Sequence, residues 1–442
     1  MPTNTPSLNP ISYSLEDGLR LRQSPRPEIN SFQLEVLKRH LLHAQRVPFY
    51  QQMFESTAFD PNSLNRLSEL ASLPLTNRHQ IDSNPELFGL GKSLSYSDIA
   101  MTSGTMGNPV IVPYTDNDLK RLGYNEMIGF YSAGIQKGDK VLLTVTMDRC
   151  FIAGLAYYLG LNQLGAAAIR SGPGQPARQW KIIDGLQPAA IVGVPSFLLR
   201  LAQWGSKEGY RVSNSPIRKL ITIGEPIRKR DNSLTLLGER LEEAWGAKIY
   251  SSYGATELET AFVECDQSCG GHIHPELMIV EIVDDEGRLL QPGQSGEIVV
   301  TPLSVEGFPL VRFRTGDVAR LHTSPCECGW NTPRLGSIEG RLAQRLKVKG
   351  TTLYPEAIFQ TLQEIAGTAE SYIEIRSTFD LSDEITVYVG FSDNQPDEQK
   401  IIDRLQASLR IRPTVIAQAR EEIISVINQE GGRKHKLIFD FR

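Results

Sequence analysis

Five cysteines in 442 residues are too few for a disulfide framework in a chain of this size, which excludes the stapled secreted scaffolds. Blocks of like charge are missing and the net charge is −5, so neither a nucleic-acid surface nor a polybasic membrane anchor is indicated. The opening Met1-Pro2-Thr3-Asn4-Thr5-Pro6 lacks the apolar core of a signal peptide. Long apolar runs are scarce as well. The least polar stretch, Phe151 to Ile169, carries no charge but is broken by Gly154, Gly160, Asn162, Gln163 and Gly165. It reads as a buried helix and strand rather than a membrane span. No internal repeat or low-complexity tract is evident. What is present, 40% apolar and 22% charged residues, suits a soluble chain of two to three domains. A cytoplasmic enzyme is the expectation, with no nucleic-acid or membrane partner.

One stretch concentrates chemistry: Met101-Thr102-Ser103-Gly104-Thr105-Met106-Gly107-Asn108-Pro109, between the polar run Lys92 to Asp98 and the apolar Val110 to Val112. Gly104 and Gly107 can take backbone angles that turn successive N–H groups toward an anion. The hydroxyls of Thr102, Ser103 and Thr105 add neutral donors. The spacing predicts a strand–loop–strand phosphate cradle. It is not the common P-loop, since this stretch holds no Gly-Lys-Ser/Thr triplet.

Around it, residues 1 to 30 are Pro- and Ser-dotted and read as an extended arm. Leu34, Leu37, Leu41 and Leu42 predict a helix ended by Pro48, and Thr76 or Asn77 caps another. Asp116 opens a helix through Phe130. From about residue 138, strands at 140–147, 166–169, 189–194, 220–223 and 248–250 alternate with helices from 151, over 196–204 and over 232–245. That order implies an α/β parallel sheet with helices on its faces and ligands at the carboxyl ends of the strands. There lie Gly224-Glu225-Pro226 and Tyr253-Gly254-Ala255-Thr256-Glu257. From residue 277 the pattern turns antiparallel, through the turn Asp284-Asp285-Glu286-Gly287. A smaller unit follows Gly340-Arg341, with helices over 355–365 and 398–409 and strands over 372–375 and 385–389.

Gly254 would let a ligand approach the backbone, the Tyr253 face can stack on a planar base, and Glu257 offers a hard oxygen to Mg²⁺. In Arg314-Thr315-Gly316-Asp317, a carboxylate at a tight turn can accept hydrogen bonds from vicinal sugar hydroxyls. Four of the five cysteines fall in two knuckles, Cys265-x3-Cys269-x2-His272 and Cys326-x-Cys328. Such spacing predicts a closed structural zinc site held by Cys265, His272, Cys326 and Cys328, with Cys269 as the alternate. Cys150, alone near a strand end, reads as a core thiol.

In this order, the segments 102–109, 224–226, 253–257, 314–317 and 340–341 resemble the adenylate-forming superfamily of acyl- and aryl-CoA synthetases. The compact length and Cys326-Glu327-Cys328-Gly329 resemble its phenylacetate–CoA ligase-like branch. The resemblance implies a large N-terminal adenylation domain, residues 1–340, of parallel sheets flanked by helices plus an antiparallel β-subdomain. It also implies a small mobile α+β C-terminal domain, residues 341–442. A carboxylic acid would attack ATP to give an acyl-adenylate, and CoA, or else a carrier-protein thiol or an amine, would displace AMP.

Carried over, Thr102, Ser103, Gly104, Thr105 and Gly107 hold the β/γ-phosphates, and Glu225 and Tyr253 line the adenine site, with Gly224, Pro226 and Gly254 beside them among the cofactor-binding residues. Thr256 contacts the α-phosphate, Glu257 binds Mg²⁺, and Asp317 holds the ribose with Arg341 nearby. Lys434 falls on the mobile catalytic lysine, with Lys436 a rival because Arg433 stands where the family has glycine. The hinge also departs, with Ala343 in place of its polar residue. Phe151, Phe197 and Tyr250 would suit an aryl or apolar acyl group. The cofactors implied are ATP, Mg²⁺, CoA and structural Zn²⁺, and an oligomer is compatible.

Overall fold

The computed structural model describes residues 12–89, 94–102, 109–348, 351–365, 370–377, 383–391, 396–428 and 436–442. The chain divides into two compact units, the second made of Gly316–Val318 and Glu339–Arg442.

Helices, not an extended arm, open the described part of the first unit. Ser14 caps α1 (Leu15–Gln23) by accepting from the Asp17 N–H, and α2 (Arg26–Ala44) follows with Pro27 in its first turn. Ser14, Pro25 and Pro27, part of the stretch that suggested an arm, act here as cap and first-turn residues, and residues 1–11 of that expectation lie outside the described residues. Pro48 likewise does not end the leucine helix. That helix stops at Ala44, and Pro48 is the first residue of α3 (Pro48–Thr57), where a missing N–H leaves no bond unmade. Asn77 caps α4 (Arg78–Ser83) in a reciprocal box with Gln80.

Next, β1 (Asp98–Met101) and β2 (Ile111–Tyr114) pair antiparallel, Met101 against Ile111. Thr115 caps α5 (Asp116–Ser132). The α/β part then runs β3 (Lys140–Leu143), α6 (Ile152–Leu164), β4 (Ala167–Arg170), α7 (Pro176–Leu186), β5 (Ala190–Gly193) and α8 (Pro195–Lys207). It continues through β6 (Lys219–Ile223), α9 (Leu236–Trp245), β7 (Lys248–Ala255) and β8 (Thr260–Val263). The sheet order is β4-β3-β5-β6-β7-β8, parallel except for the last pair. The sequence reading missed α7 altogether. It also started α9 too early: Asn232 takes a left-handed φ of 67°, and the cap is Thr235.

Side chains alternate across this sheet. Val141, Leu143, Val192, Ile221 and Tyr250 pack with Tyr124, Ile128, Tyr157 and Leu161 of α5 and α6. Leu142, Ile191, Leu220 and Ile249 pack on the other face around Trp180 and Trp245. Helices therefore cover both faces, as a parallel sheet requires.

A second sheet joins β9 (Gly271–His272), β10 (Met278–Val283), β11 (Ser295–Pro302), β12 (Phe313–His322) and β13 (Arg334–Leu335) in the order β10-β11-β12-β13-β9. In the second unit, β14 (Gly340–Arg341), β15 (Leu346–Val348), β16 (Thr351–Leu353) and α10 (Pro355–Gln363) come first. Then follow β17 (Ser371–Ser377), β18 (Asp383–Phe391), α11 (Glu398–Leu409), β19 (Thr414–Ala419), α12 (Arg420–Ile427) and β20 (Ile438–Asp440). Strands β19-β18-β17-β20 form its sheet, over a core that includes Ile358, Ile373, Val387, Ile401 and Leu405. Among the described residues no helix is long and apolar enough to cross a membrane.

Candidate active site

Of the cradle residues, Ser103, Gly104, Thr105 and Gly107 lie outside the described residues. Thr102 lies inside. Its hydroxyl accepts from the Val110 N–H at 2.9 Å while its own N–H donates to the Val110 carbonyl at 3.0 Å. The Arg78 guanidinium reaches the same hydroxyl at 3.5 Å and Glu257 Oε1 at 2.9 Å. One arginine therefore joins two motifs far apart in the sequence, and a further bond to Asp82 Oδ1 at 2.8 Å fixes its stem.

The sequence reading stopped at the cap before Arg78. A signal was nevertheless available. Arg78 is the first residue of its helix, where the helix dipole disfavours a cation, so an arginine there points to an anionic partner.

Gly224 follows β6 with a φ of 79° and open space around it, so the chain turns there in a conformation glycine adopts without strain. The turn aims the Glu225 carboxylate at α8, where it accepts from the Ser196 N–H at 2.9 Å and the Ser196 hydroxyl at 2.8 Å. Gly224 and Pro226 are exposed. Tyr253, half-buried at the end of β7, stacks one face on Phe262 with the rings 13° apart in tilt. Gly254 has a packing reason beyond ligand approach: a Cβ would stand 3.1 Å from the Thr260 carbonyl oxygen on β8. The Tyr114 hydroxyl contacts the Thr256 carbonyl at 3.5 Å.

The three aromatic residues expected to line an acid pocket are not brought together. Tyr250 is 1% exposed, packs on the α5/α6 face and donates to Asp266 Oδ1 at 2.6 Å. Phe197 packs on the opposite face, with the Trp180 and Trp245 cluster. Tyr250 on β7 and Phe197 on α8 thus belong to clusters on opposite faces of the sheet. Phe151 stands half-buried at the N-cap of α6. Cys150 is exposed, with a left-handed φ of 55°, and is not the core thiol expected.

Cys265, His272, Cys326 and Cys328 do converge, one donor atom from each lying within 4.8 Å of all the others. The Cys265 and Cys326 sulfurs are 3.7 Å apart, and Cys328 Sγ is 3.3 Å from His272 Nε2. With Zn–S bonds near 2.3 Å, sulfurs on a tetrahedron stand about 3.8 Å apart, so this donor set fits zinc. The Thr332 hydroxyl meets His272 Nδ1 at 2.9 Å and orients the ring. Burial, with Arg334 and Arg22 adding to it, pushes His272 down to about 3, leaving the neutral imidazole that a metal needs. Cys269, the alternate, touches only Cys326 of the four and receives the Arg334 guanidinium at 2.6 Å.

In the second unit, Asp317 and Arg341 sit directly opposite each other on β12 and β14, with Arg341 Nε 3.2 Å from Asp317 Oδ1. Asp317 is 8% exposed, whereas the Arg341 side chain is half in solvent. Burial pushes the neighbouring Glu356 carboxyl up, and Arg341 partly offsets it. Lys434 and Arg433 lie outside the described residues. The rival Lys436 places its ammonium over the Phe439 ring, 4.9 Å from the centroid.

Residues 91–305 match the family described as AMP-binding enzyme. A phenylacetate–coenzyme A ligase of Pseudomonas putida is 30% identical over 376 residues, covering 83% of this chain and 80% of that protein. Its counterpart in Thermus thermophilus is 29% identical over 370 residues, with 81% of each chain covered. Among solved structures, a 2-hydroxyisobutyryl-CoA ligase in its postadenylation state overlays with a TM-score of 0.83. At 23% identity, and with 96% of this chain and 92% of that one covered, this likeness speaks to the fold.

Proposed function

The chain belongs to the phenylacetate–coenzyme A ligase family of AMP-binding enzymes, and from that footing we propose that it joins a carboxylic acid to CoA through an acyl-adenylate. A carboxylate oxygen attacks the α-phosphorus of ATP, the bond to the β-phosphate breaks, and pyrophosphate leaves. The CoA sulfur then attacks the acyl carbon, the thiol proton is lost, and AMP departs with the ester oxygen. The observation that carries this reading is the bridge from Arg78 to both Thr102 and Glu257, which gathers charge for a polyphosphate at the carboxyl edge of the sheet.

Thr102 and the cradle through Gly107 hold the β/γ-phosphates in this reading, Glu225 and Tyr253 border the adenine, and Thr256 faces the α-phosphate. Glu257 would hold Mg²⁺, whose charge offsets that of the phosphates. Asp317 accepts from the ribose hydroxyls and Arg341 orients it. Lys434 supplies the cation that meets the α-phosphate and the attacking carboxylate. Residues 1–340 act as the adenylation domain, and residues 341–442 as the lid that turns between the two half-reactions. The four-donor cluster would hold zinc as a staple rather than as a catalyst. A cytoplasmic setting suits a CoA-using enzyme.

The acceptor separates the readings. Acid-dependent exchange of labelled pyrophosphate into ATP tests the first half. The product mass with and without CoA tests the second. Exchange without a CoA adduct would turn the assignment toward a carrier-protein thiol or an amine. No exchange with any acid would leave a nucleotide-binding protein.

A further inference from the structure

Arg121 on α5 is fully buried, and its hydrogen bonds run to oxygens of three other segments. Nε donates to the Leu303 carbonyl at 2.7 Å, just past β11, and Nη2 to the Leu277 carbonyl at 2.6 Å, just before β10. The same fork reaches the chain that follows Thr256 and Glu257. Nη1 donates to the Glu259 carbonyl at 2.6 Å, and Nη2 to the Thr260 hydroxyl at 3.0 Å. Taking a cation out of water is costly, and packing alone would be served by a methionine. A methionine cannot hold three segments at once, whereas a planar fork of donors can.

The segment so gripped is strained. Thr256–Leu258 is a single 3-10 turn, and Glu259 after it takes a left-handed φ of 49°, which is unfavourable for a residue with a Cβ. The Glu259 carboxylate does not hold it there, since neither of its oxygens has a hydrogen-bond partner among the described residues. The hold is on the main chain. Arg121 grips it beyond the turn, and at the near end the Tyr114 hydroxyl meets the Thr256 carbonyl at 3.5 Å. Tyr114 ends β2 and Arg121 lies on α5, so both belong to the stretch that leads away from the 102–109 segment. One continuous piece of chain therefore ties that segment to the turn carrying Thr256 and Glu257.

We propose that Arg121 is a positioning residue for adenylation: its grip on Glu259 and Thr260 sets where Thr256 and Glu257 stand relative to the phosphates. This rests on the adenylation reading above. Arg121 touches no reacting atom and acts only through the turn. Misplacing groups that are used chiefly in the transition state costs rate rather than binding. The second half-reaction is spared, because pyrophosphate and the cation that Glu257 serves have left by then.

The test compares pyrophosphate exchange, driven by an acid that the wild type accepts, with thiolysis by CoA of the chemically prepared adenylate of that acid. Arg121→Met keeps the packing alone, and Arg121→Lys keeps the charge and some of the bonds. Exchange at saturating ATP should fall about a hundredfold in the first and about tenfold in the second, with KM for ATP within about threefold of the wild type. Thiolysis should stay within about threefold in both. Thr260→Val, which removes a single acceptor and is the milder change for folding, should lower exchange about fivefold and spare thiolysis. Asn125, one turn further along α5, exchanges two hydrogen bonds with the Ala261 main chain on β8, at 3.1 and 2.8 Å. Asn125→Ala should lower the melting temperature without singling out exchange. Unaltered exchange in Arg121→Met, exchange and thiolysis falling together in the Arg121 and Thr260 variants, or the same selective loss in Asn125→Ala would overturn the role of Arg121 alone. No exchange by the wild type with any acid overturns the adenylation reading and this inference with it.

Discussion

At Arg78 a guanidinium stands on the first residue of a helix, with Glu257 at 2.9 Å and the Thr102 hydroxyl at 3.5 Å. A half-buried pair of this kind adds about 1 kcal/mol to the fold at most, so its value lies in what it organises. Arg78→Ala is expected to leave the melting temperature within a few degrees of the wild type and to raise KM for ATP about tenfold at saturating Mg²⁺. Glu257→Gln should instead shift the Mg²⁺ requirement upward, with activity largely recovered at high Mg²⁺. Initial rates over a grid of ATP and Mg²⁺ separate the two, and small equal effects would reduce both to ordinary turn residues. Glu257 and Asp317 stand out in the sequence because each follows a Gly- and Thr-bearing turn. Arg78 does not, because its contacts with Thr102 and Glu257 exist only in the folded chain. The aromatic residues misled for the converse reason: Tyr250 and Phe197 are apolar enough for a pocket, but β7 turns the first toward α5 and α6 while α8 covers the opposite face of the sheet.

Among the elements, the alternation of apolar runs with helices sufficed for the parallel sheet, since burial on both faces leaves few other readings. Capping chemistry was harder. Ser14, Pro27 and Pro48 each open helices, and the same residues serve loops equally well until their neighbours are known. The cysteine knuckles were readable from spacing, yet which of Cys269 and His272 belongs with the other three needed β9, which carries His272 into the cluster. Protein purified without added zinc should contain about one zinc per chain, and Cys326→Ser/Cys328→Ser should lose it along with several degrees of melting temperature. Chelation should lower stability before it lowers nucleotide affinity. Zinc-free protein, or an unaltered melting point in the double variant, would leave four free thiols.

For the whole molecule, the order of the motifs carried more than any one of them, because the segments proposed here as phosphate cradle, adenine turn and ribose carboxylate make one reaction only in combination. Lys434→Ala should lower adenylation by several orders of magnitude while ATP still binds, since the lysine's charge is used chiefly in the transition state. Lys436→Ala should retain most activity, and the reverse pattern in pyrophosphate exchange would give the role to Lys436. The central claim is that an oxygen of the acid becomes bonded to phosphorus. An acid that supports exchange, labelled with ¹⁸O in its carboxylate, should be turned over with ATP and CoA and the AMP examined by mass spectrometry. AMP carrying one heavy oxygen, with pyrophosphate unlabelled, is the predicted result. Unlabelled AMP, or label in pyrophosphate or phosphate, would contradict it.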